Sequence, residues 1–145
     1  MNDYINILQT ARKVFVYANE HNWQGLIDEV FDDTVATDDS SYPGGPPAMI
    51  LSATQQVENW KSVIPKMITH HQMGNELVNI AEDHAHVHAY VTAYHIKPEL
   101  TENNKWTVVS SFEIMLRRTD IGWRVTGLKQ HFKFQEGNPL IATMP

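Results

Sequence analysis

The first part of the chain places apolar residues at helical spacing. Along residues 3–21 they recur every three or four positions, as one face of an amphipathic helix requires. The stripe consists of Tyr4, Ile7, Leu8, Ala11, Val14, Phe15 and Ala18. Asn19 and Asn22 continue it with amides, where a buried face would carry more apolar side chains. The pattern therefore predicts a helix whose last turn brings polar groups toward the interior.

Shorter patterns follow this helix. Residues 38–48 contain two Gly and three Pro, a composition that excludes a helix or a central strand and predicts a loop. On either side we expect short elements: a helix over 23–31, a strand over 34–37, and a helix over 52–63 that ends before Pro65.

After Pro65 the period changes from helical to alternating. Four long segments rich in β-branched residues predict strands over about 67–80, 84–97, 105–118 and 122–134. Their short connections indicate an antiparallel meander. Helices over about 3–63 followed by a sheet over about 67–134 are typical of the α+β class, in a single domain of residues 1–145.

The second long strand has two contrasting faces. One face carries small apolar residues and ends in a histidine: Ala85, Val87, Ala89, Val91, Ala93 and His95. It suits the inner wall of a cavity. The other face is too aromatic for an ordinary solvated surface, with His86, His88, Tyr90, Thr92 and Tyr94. Because aromatic residues are enriched at interface cores, we interpret it as a contact between subunits.

The hairpin register decides which histidine of the preceding strand faces the cavity. With the turn centred on Asp83, His71 lies directly opposite His95. A register shifted by one residue places His70 there instead, and it pairs Val78 with Val87 and Ile80 with Ala85. A β-bulge would reconcile apolar pairs near the turn with an inward His71.

Composition narrows the function classes. The chain has 145 residues, 42% of them hydrophobic, and a net charge of −6, which argues against a nucleic-acid binder. There is no cysteine, so neither a thiolate nucleophile nor a zinc–thiolate site is available. We find no signal-peptide pattern and no apolar run of membrane-spanning length, and we expect a cytoplasmic protein. The absence of a Gly-rich phosphate motif implies no nucleotide cofactor.

The order and spacing of several motifs resemble the nuclear transport factor 2-like superfamily, in particular its SnoaL-like and scytalone dehydratase-like branch. The matching pieces are Asn22-Trp23, Phe31-Asp32-Asp33, Asp38-x-Ser40-Ser41-x-x-Gly44-Gly45, Trp60, Thr69-x-His71-x-x-x-Asn75, Ala89-Tyr90-Val91-x-Ala93-x-His95, Phe112-Glu113 with Arg117, Gly122-Trp123-Arg124-Val125 and Glu136-Gly137-Asn138. The resemblance implies a curved, mainly antiparallel sheet wrapped into a cone, an α+β barrel closed by three N-terminal helices. It also implies a homodimer through the outer sheet face.

In dehydratase relatives the pocket histidines fall at positions matching His71 and His95. Two departures are visible here. Asn19 stands where the family has an aspartate on the first helix, and Asp39 stands where it has a tyrosine. An amide does not titrate, so the usual aspartate–histidine pair is absent.

These residues support a small-molecule lyase or isomerase that needs no cofactor. His71 would move a proton, and His95 would polarise a substrate oxygen or act as the acid. The candidate substrate contacts are Asn19, Asp39, Asn75, Trp60 and Phe112. The ligand would be a mostly apolar cyclic or carbonyl compound. The alternatives are a non-catalytic ligand-binding protein of the same fold and a structural dimer module.

Other polar residues receive a structural interpretation. His84, His86 and His88 alternate along one strand and invite a metal hypothesis, but a subunit contact explains them better, and no metal site is predicted. A lone Glu113 on an antiparallel sheet belongs on the outer face. Trp106 and Trp123 fit core or rim packing, as Trp60 also could, and His131 lies on the last strand, where nothing in the sequence supports a pocket role.

Overall fold

A computed structural model describes residues 2–145. The first helix, α1, spans Asp3–Asn19 and begins at Asn2, whose side chain accepts the backbone N–H groups of Tyr4 and Ile5. It ends two residues earlier than predicted, because His21 adopts a left-handed backbone conformation with φ 57°. Asn22 therefore does not continue the stripe. Its side chain instead accepts the N–H of Gly25 and caps the next helix.

That next helix is short and irregular. α2 spans Trp23–Gly25 and runs on as a π-helical turn over Leu26–Val30. The chain then passes directly into strand β1, Phe31–Asp38, so Phe31 begins a strand and does not end a helix as predicted. Since Phe31 is buried, the extended start of β1 places its ring in the core.

The Gly- and Pro-rich loop leads into a strand that the sequence pattern does not predict. β2 spans Met49–Ser52 and pairs antiparallel with β1. Ser52 also caps α3, Ala53–Lys61, in a reciprocal capping box with Gln55. A four-residue strand that merges into a helix cap carries too few residues for its alternation to be recognised.

The four long strands agree with the predicted meander. They are β3, Ile68–Ala81; β4, His84–Ile96; β5, Lys105–Thr119; and β6, Gly122–Gly137. Short 3-10 turns precede β3 at Ile64–Lys66 and follow β6 at Pro139–Thr143. The six strands form one sheet in the order β2-β1-β6-β5-β4-β3. The sheet is mixed, since β1 runs parallel to β6, and the α+β class is confirmed.

The core lies between α1 and one face of this sheet. Along β4 the residues alternate as predicted, with Ala85, Val87, Ala89 and Val91 each at most 6% exposed. The apolar face of α1 packs onto them through residues that include Ile7, Ala11, Val14 and Phe15. Tyr4, at the start of the predicted stripe, is 47% exposed and lies outside this core.

The hairpin register combines the alternatives that the sequence leaves open. Near the turn Val78 pairs with Val87 and Ile80 with Ala85, in the register shifted by one residue. Asn75 and Glu76 then oppose Ala89 as a β-bulge, in which Asn75 has φ 55°. Beyond the bulge His71 pairs with Ala93, and His95 pairs with Thr69.

The predicted direct opposition of His71 and His95 is therefore wrong by two residues. Because side chains alternate with a period of two, this difference leaves both histidines on one face. His70 pairs with Tyr94 and is exposed on the opposite face. The bulge decides that His71 faces the interior.

Candidate active site

A cavity of about 460 Å³ lies between the inner sheet face and the helices. Its lining comes from the inner ends of α1 and α3, the loop after β1, strands β3 to β6 and the last 3-10 turn. This volume falls within the usual range for small-molecule sites.

His71 is held by the amide of Asn19. The Oδ1 atom of Asn19 accepts the backbone N–H of His71 at 3.0 Å, and Nδ2 donates to the His71 carbonyl at 3.2 Å. These two contacts fix the orientation of the amide. Oδ1 also lies 2.8 Å from His71 Nδ1, and since a carbonyl oxygen only accepts, Nδ1 carries the proton. The ring is thus fixed as the tautomer whose Nε2 has a free lone pair.

The environment keeps this imidazole neutral. Burial, together with charge repulsion from His95 and His70, lowers the pKa of His71 from 6.5 to about 4. An aspartate in place of Asn19 would oppose this shift, whereas the amide carries no charge. Phe15 stacks against the ring at 5.8 Å between centroids and holds its plane.

His95 has a similar arrangement. Its Nδ1 lies 3.0 Å from the backbone carbonyl of Trp106, which again requires the proton on Nδ1. The indole of Trp106 stacks on the imidazole with a centroid distance of 4.2 Å. Burial lowers the pKa of His95, and the bond to the Trp106 carbonyl partly opposes this shift.

The two imidazoles meet edge to face. Their ring centroids are 5.8 Å apart at an interplanar angle of 85°. Within residues 2–145 neither Nε2 atom has a hydrogen-bond partner, and neither is sealed from the cavity. The site therefore offers two proton acceptors in one apolar space.

The loop after β1 covers part of the cavity. The hydroxyl of Ser41 donates to the carbonyl of Gln130 at 2.7 Å and accepts the N–H of Phe132, which ties the loop to β6. The Tyr42 hydroxyl donates to Gln135 at 2.7 Å, an oxygen that it shares with the indole N–H of Trp106.

Asp39 lies in this loop and lines the cavity at its accessible side. Desolvation raises the pKa of its carboxyl, and the charge of Asp38 raises it further. Asp38 itself binds the backbone N–H and hydroxyl of Ser40, which lower its pKa. The pKa of Asp39 is thus raised and that of Asp38 is lowered. Of these two carboxyls, only Asp39 lines the cavity.

The structure brings together most of the residues singled out from the sequence. His71, His95, Asp39, Trp60 and Phe112 line the cavity. Asn19 lies behind His71 and acts through it. Asn75 is exposed at the bulge and is not among the residues that line the cavity.

The sequence pattern does not predict several of the residues that line the cavity. Trp106 lies on the cavity beside His95, and Tyr42, Ser110 and Gln130 contribute polar groups to the wall. Strand pairing could have identified Trp106, because it lies opposite His95 across β4 and β5. The roles of Tyr42 and Gln130 depend on loop placement and on the β5–β6 register, for which the sequence carries no local signal.

The remaining polar candidates lie elsewhere. His86 and His88 both bind the carboxylate of Glu113 on the outer sheet face, and His131 Nε2 lies 3.9 Å from the same group. Within residues 2–145 no group of three His, Asp or Glu side chains has metal-binding geometry. Trp123 packs in the core under Arg118 and donates to Asp3, away from the cavity.

The charges of the lining restrict its ligand. Among the described residues, the lining has one carboxyl, from Asp39, two imidazoles and no lysine or arginine. A carboxylate or phosphate ligand would find no cation to pair with its charge, and burying it unpaired is costly. The cavity is suited to an uncharged, mostly apolar molecule.

Comparison with known proteins agrees with the fold. Residues 1–129 match the SnoaL-like domain family. The chain therefore belongs to the SnoaL-like domain family, within the nuclear transport factor 2-like fold. In sequence, no curated protein matches the chain.

Solved structures agree with the fold. The protein Kfla4162 from Kribbella flavida superposes with a TM-score of 0.90 at 26% identity, over 98% of this chain and 97% of that one. A proposed scytalone dehydratase from Novosphingobium aromaticivorans has a TM-score of 0.73 at 13% identity, over 94% and 92%. A type 2 hexachlorocyclohexane dehydrochlorinase, LinA, has a TM-score of 0.74 at 13% identity, over 98% and 93%. At such low identities, the last two likenesses concern the fold. Within residues 2–145 no helix has both the length and the apolar character needed to cross a membrane.

Proposed function

We propose that the protein is a cofactor-independent lyase or isomerase, in which His71 removes a proton from carbon in an uncharged cyclic or carbonyl compound. The observation that carries this proposal is the tautomer of His71. Asn19 holds the proton on Nδ1, and Nε2 is left with a free lone pair in an apolar cavity.

The reaction that fits this arrangement begins with proton transfer to Nε2 of His71. Its conjugate acid has a pKa of about 4, so the base is present throughout the neutral range but is weak. The C–H bond must therefore be acidified, for example by an adjacent carbonyl. The electron pair then forms a double bond and expels a leaving group, or the proton returns at another carbon.

His95 and Asp39 have supporting roles in this proposal. Since His95 also carries its proton on Nδ1, its Nε2 accepts first and becomes an acid only after protonation. Asp39 lines the accessible side of the cavity, where its carboxyl can hydrogen-bond a departing hydroxyl. Trp60 and Phe112 supply apolar contact.

One observation favours a non-catalytic binding protein as the second candidate. Asn19 offers the imidazolium that proton abstraction creates a hydrogen bond but no opposite charge. The same cavity would then bind its ligand without turnover. The third reading, a structural module with a filled cavity, is disfavoured by the cavity of about 460 Å³.

A proton-exchange assay separates these candidates. Cyclic ketones and β-hydroxy ketones are incubated with the protein in D₂O, and loss of α-protons and formation of unsaturated product are followed by NMR. We expect His71→Phe, which keeps a ring against Phe15, to lower the rate by roughly 10²-fold or more. The matched control is His70→Phe, on the opposite face of β3, which should keep the wild-type rate. Equal rates in all three proteins, together with tight binding, would favour the binding protein.

We also propose a homodimer through the outer sheet face. This face exposes Tyr90 and Tyr94 by 48% and 46%, beside His86 and His88. Sedimentation equilibrium should give twice the chain mass for the wild type and a monomer for Tyr94→Lys. Ile121→Lys, at the exposed turn between β5 and β6, is the control and should remain dimeric. A monomeric wild type would exclude this assembly.

A further inference from the structure

Two polar side chains on β5 and β6 form a pair inside the apolar cavity. Ser110 and Gln130 both line it, and Gln130 Nε2 lies 2.9 Å from Ser110 Oγ. Ser110 is 1% exposed, so its hydroxyl reaches solvent only through the cavity. The mechanism centred on His71 makes no use of this pair.

The position of the pair is fixed from both sides. Gln130 lies opposite Phe112 in the β5–β6 register, on the inner face. Its backbone carbonyl accepts the Ser41 hydroxyl at 2.7 Å, which anchors the loop after β1 at the same residue. The side chain therefore extends from a strand position that is supported by its neighbours on both sides.

The pair has hydrogen-bonding capacity left over. If Nε2 of Gln130 donates to Ser110, the Ser110 hydroxyl can donate further and Oε1 of Gln130 can accept. If the amide is turned, the hydroxyl donates to Gln130 and the amide N–H groups become free. In either orientation at least one donor and one acceptor remain, and within residues 2–145 the pair has no second side-chain partner. Gln130 is only partly buried and lines the cavity, so its free groups open on the cavity, where a ligand group can pair with them.

We propose that Gln130, with Ser110, is the specificity determinant of the cavity and selects ligands that carry a hydroxyl group, which both donates and accepts. This inference rests on the proposed function only in that the ligand occupies the same cavity. The apolar surface between the pair and His71 includes Val91 and Phe112, and it accommodates the carbon skeleton. β3 and β5 are two strand spacings, roughly 10 Å, apart, so the ligand that spans both walls has the size of a bicyclic compound.

Three naphthalene probes that differ in one substituent test the proposal. 2-Naphthol donates and accepts, 2-methoxynaphthalene only accepts, and 2-methylnaphthalene does neither. Dissociation constants are measured from the emission of each probe. We expect the wild type to bind 2-naphthol roughly five- to tenfold more tightly than 2-methylnaphthalene, with 2-methoxynaphthalene between them.

The variant Gln130→Met keeps the length of the side chain and removes its hydrogen bonds. We expect it to bind 2-naphthol and 2-methylnaphthalene equally, while affinity for 2-methylnaphthalene stays at or above that of the wild type. Gln72→Met, on the exposed side of β3, is the matched control and should keep the preference. Thermal melting checks that each variant is folded. If Gln130→Met is not, Ser110→Ala serves as the second variant and should reduce the preference in the same direction.

Three results would overturn the proposal: a wild type that does not prefer 2-naphthol, a folded variant that retains the preference, or a wild type that binds none of the probes. This test is independent of turnover. In His71→Phe the preference for 2-naphthol should persist even though proton exchange is lost. Failure of the catalytic proposal and failure of the hydroxyl preference are thus separately visible.

Discussion

At the scale of single residues, Asn19 has the most consequential contacts of the site, because it fixes the His71 ring. The sequence places an amide where the family resemblance implies a carboxylate, and the contacts show what this amide does. It binds the backbone and the ring of His71 through one oxygen and one nitrogen. The position and the tautomer of His71 are thereby fixed, but the amide gives a charged imidazole no ionic partner.

A carboxylate in place of the Asn19 amide should change the titration of His71. In Asn19→Asp we expect the pKa of His71 to rise from about 4 by roughly one to three units, because the carboxylate stabilises the imidazolium. The chemical shift of its ring proton, followed by NMR against pH, measures this change. The acid limb of any pH–rate profile should move in the same direction.

Asn79→Asp provides the control for this experiment. It adds the same charge on an exposed position of β3, and the His71 titration should stay at the wild-type midpoint. An unchanged midpoint in Asn19→Asp would mean that the Asn19–His71 contact does not govern the ring.

At the scale of elements, the bulge in β3 determines the composition of the site. Without the extra residue at Asn75–Glu76, the register near the turn would continue and His70 would take the inner face. Arg12 on α1 binds Glu76 at 2.9 Å and secures the bulge to the helix. A local irregularity of one residue thus selects the catalytic candidate.

The left-handed conformation of Asn75 makes the bulge testable. Asn tolerates φ 55° better than other non-glycine residues, and a β-branched side chain does not. We expect Asn75→Val to lower the free energy of unfolding by about 1–2 kcal/mol and Asn75→Gly to leave it nearly unchanged. Urea denaturation gives both values. If valine were tolerated as well as glycine, the bulge conformation would have to differ from the one described.

At the scale of the whole molecule, the buried histidines couple the site to acid stability. His71 has a pKa of about 4 when folded and 6.5 ordinarily, so the unfolded chain binds more protons between these values. The contribution of His71 to the free energy of unfolding is fully present above pH 6.5 and is lost as the pH falls toward 4. The loss is on the order of 3 kcal/mol. His95, whose pKa is also lowered, adds to it in the same direction.

The comparison of wild type with His71→Phe isolates this contribution. Urea denaturation at pH 7, 5 and 4 should show a steep decline for the wild type. The decline should be smaller in the variant, because phenylalanine does not titrate. If the free energy of unfolding declined equally with pH in the two proteins, folding would not lower the pKa of His71.

The same distinction of scale explains what could be predicted from the sequence. The apolar stripe of α1, the alternation along β4 and the four-strand meander follow from the periodicity of apolar residues within each segment, which is visible in the sequence. β2, the early start of β1 and the parallel β1–β6 pairing depend on contacts between segments distant in sequence. The four residues of β2 and the five-residue π-helical turn are too short to show a period.

The sequence by itself determined the α+β class, the order of the long elements, the inner face of β4 and the family. Each of these features follows from the types of residue that recur at short spacing along the chain. Only the tertiary structure decided that His71 and not His70 faces the cavity, that Asn75 lies outside it, and that Gln130 pairs with Ser110 within it. The physical reason is that a bulge, a loop tie and a cross-strand register depend on the fit between segments. Periodicity within each segment does not record that fit.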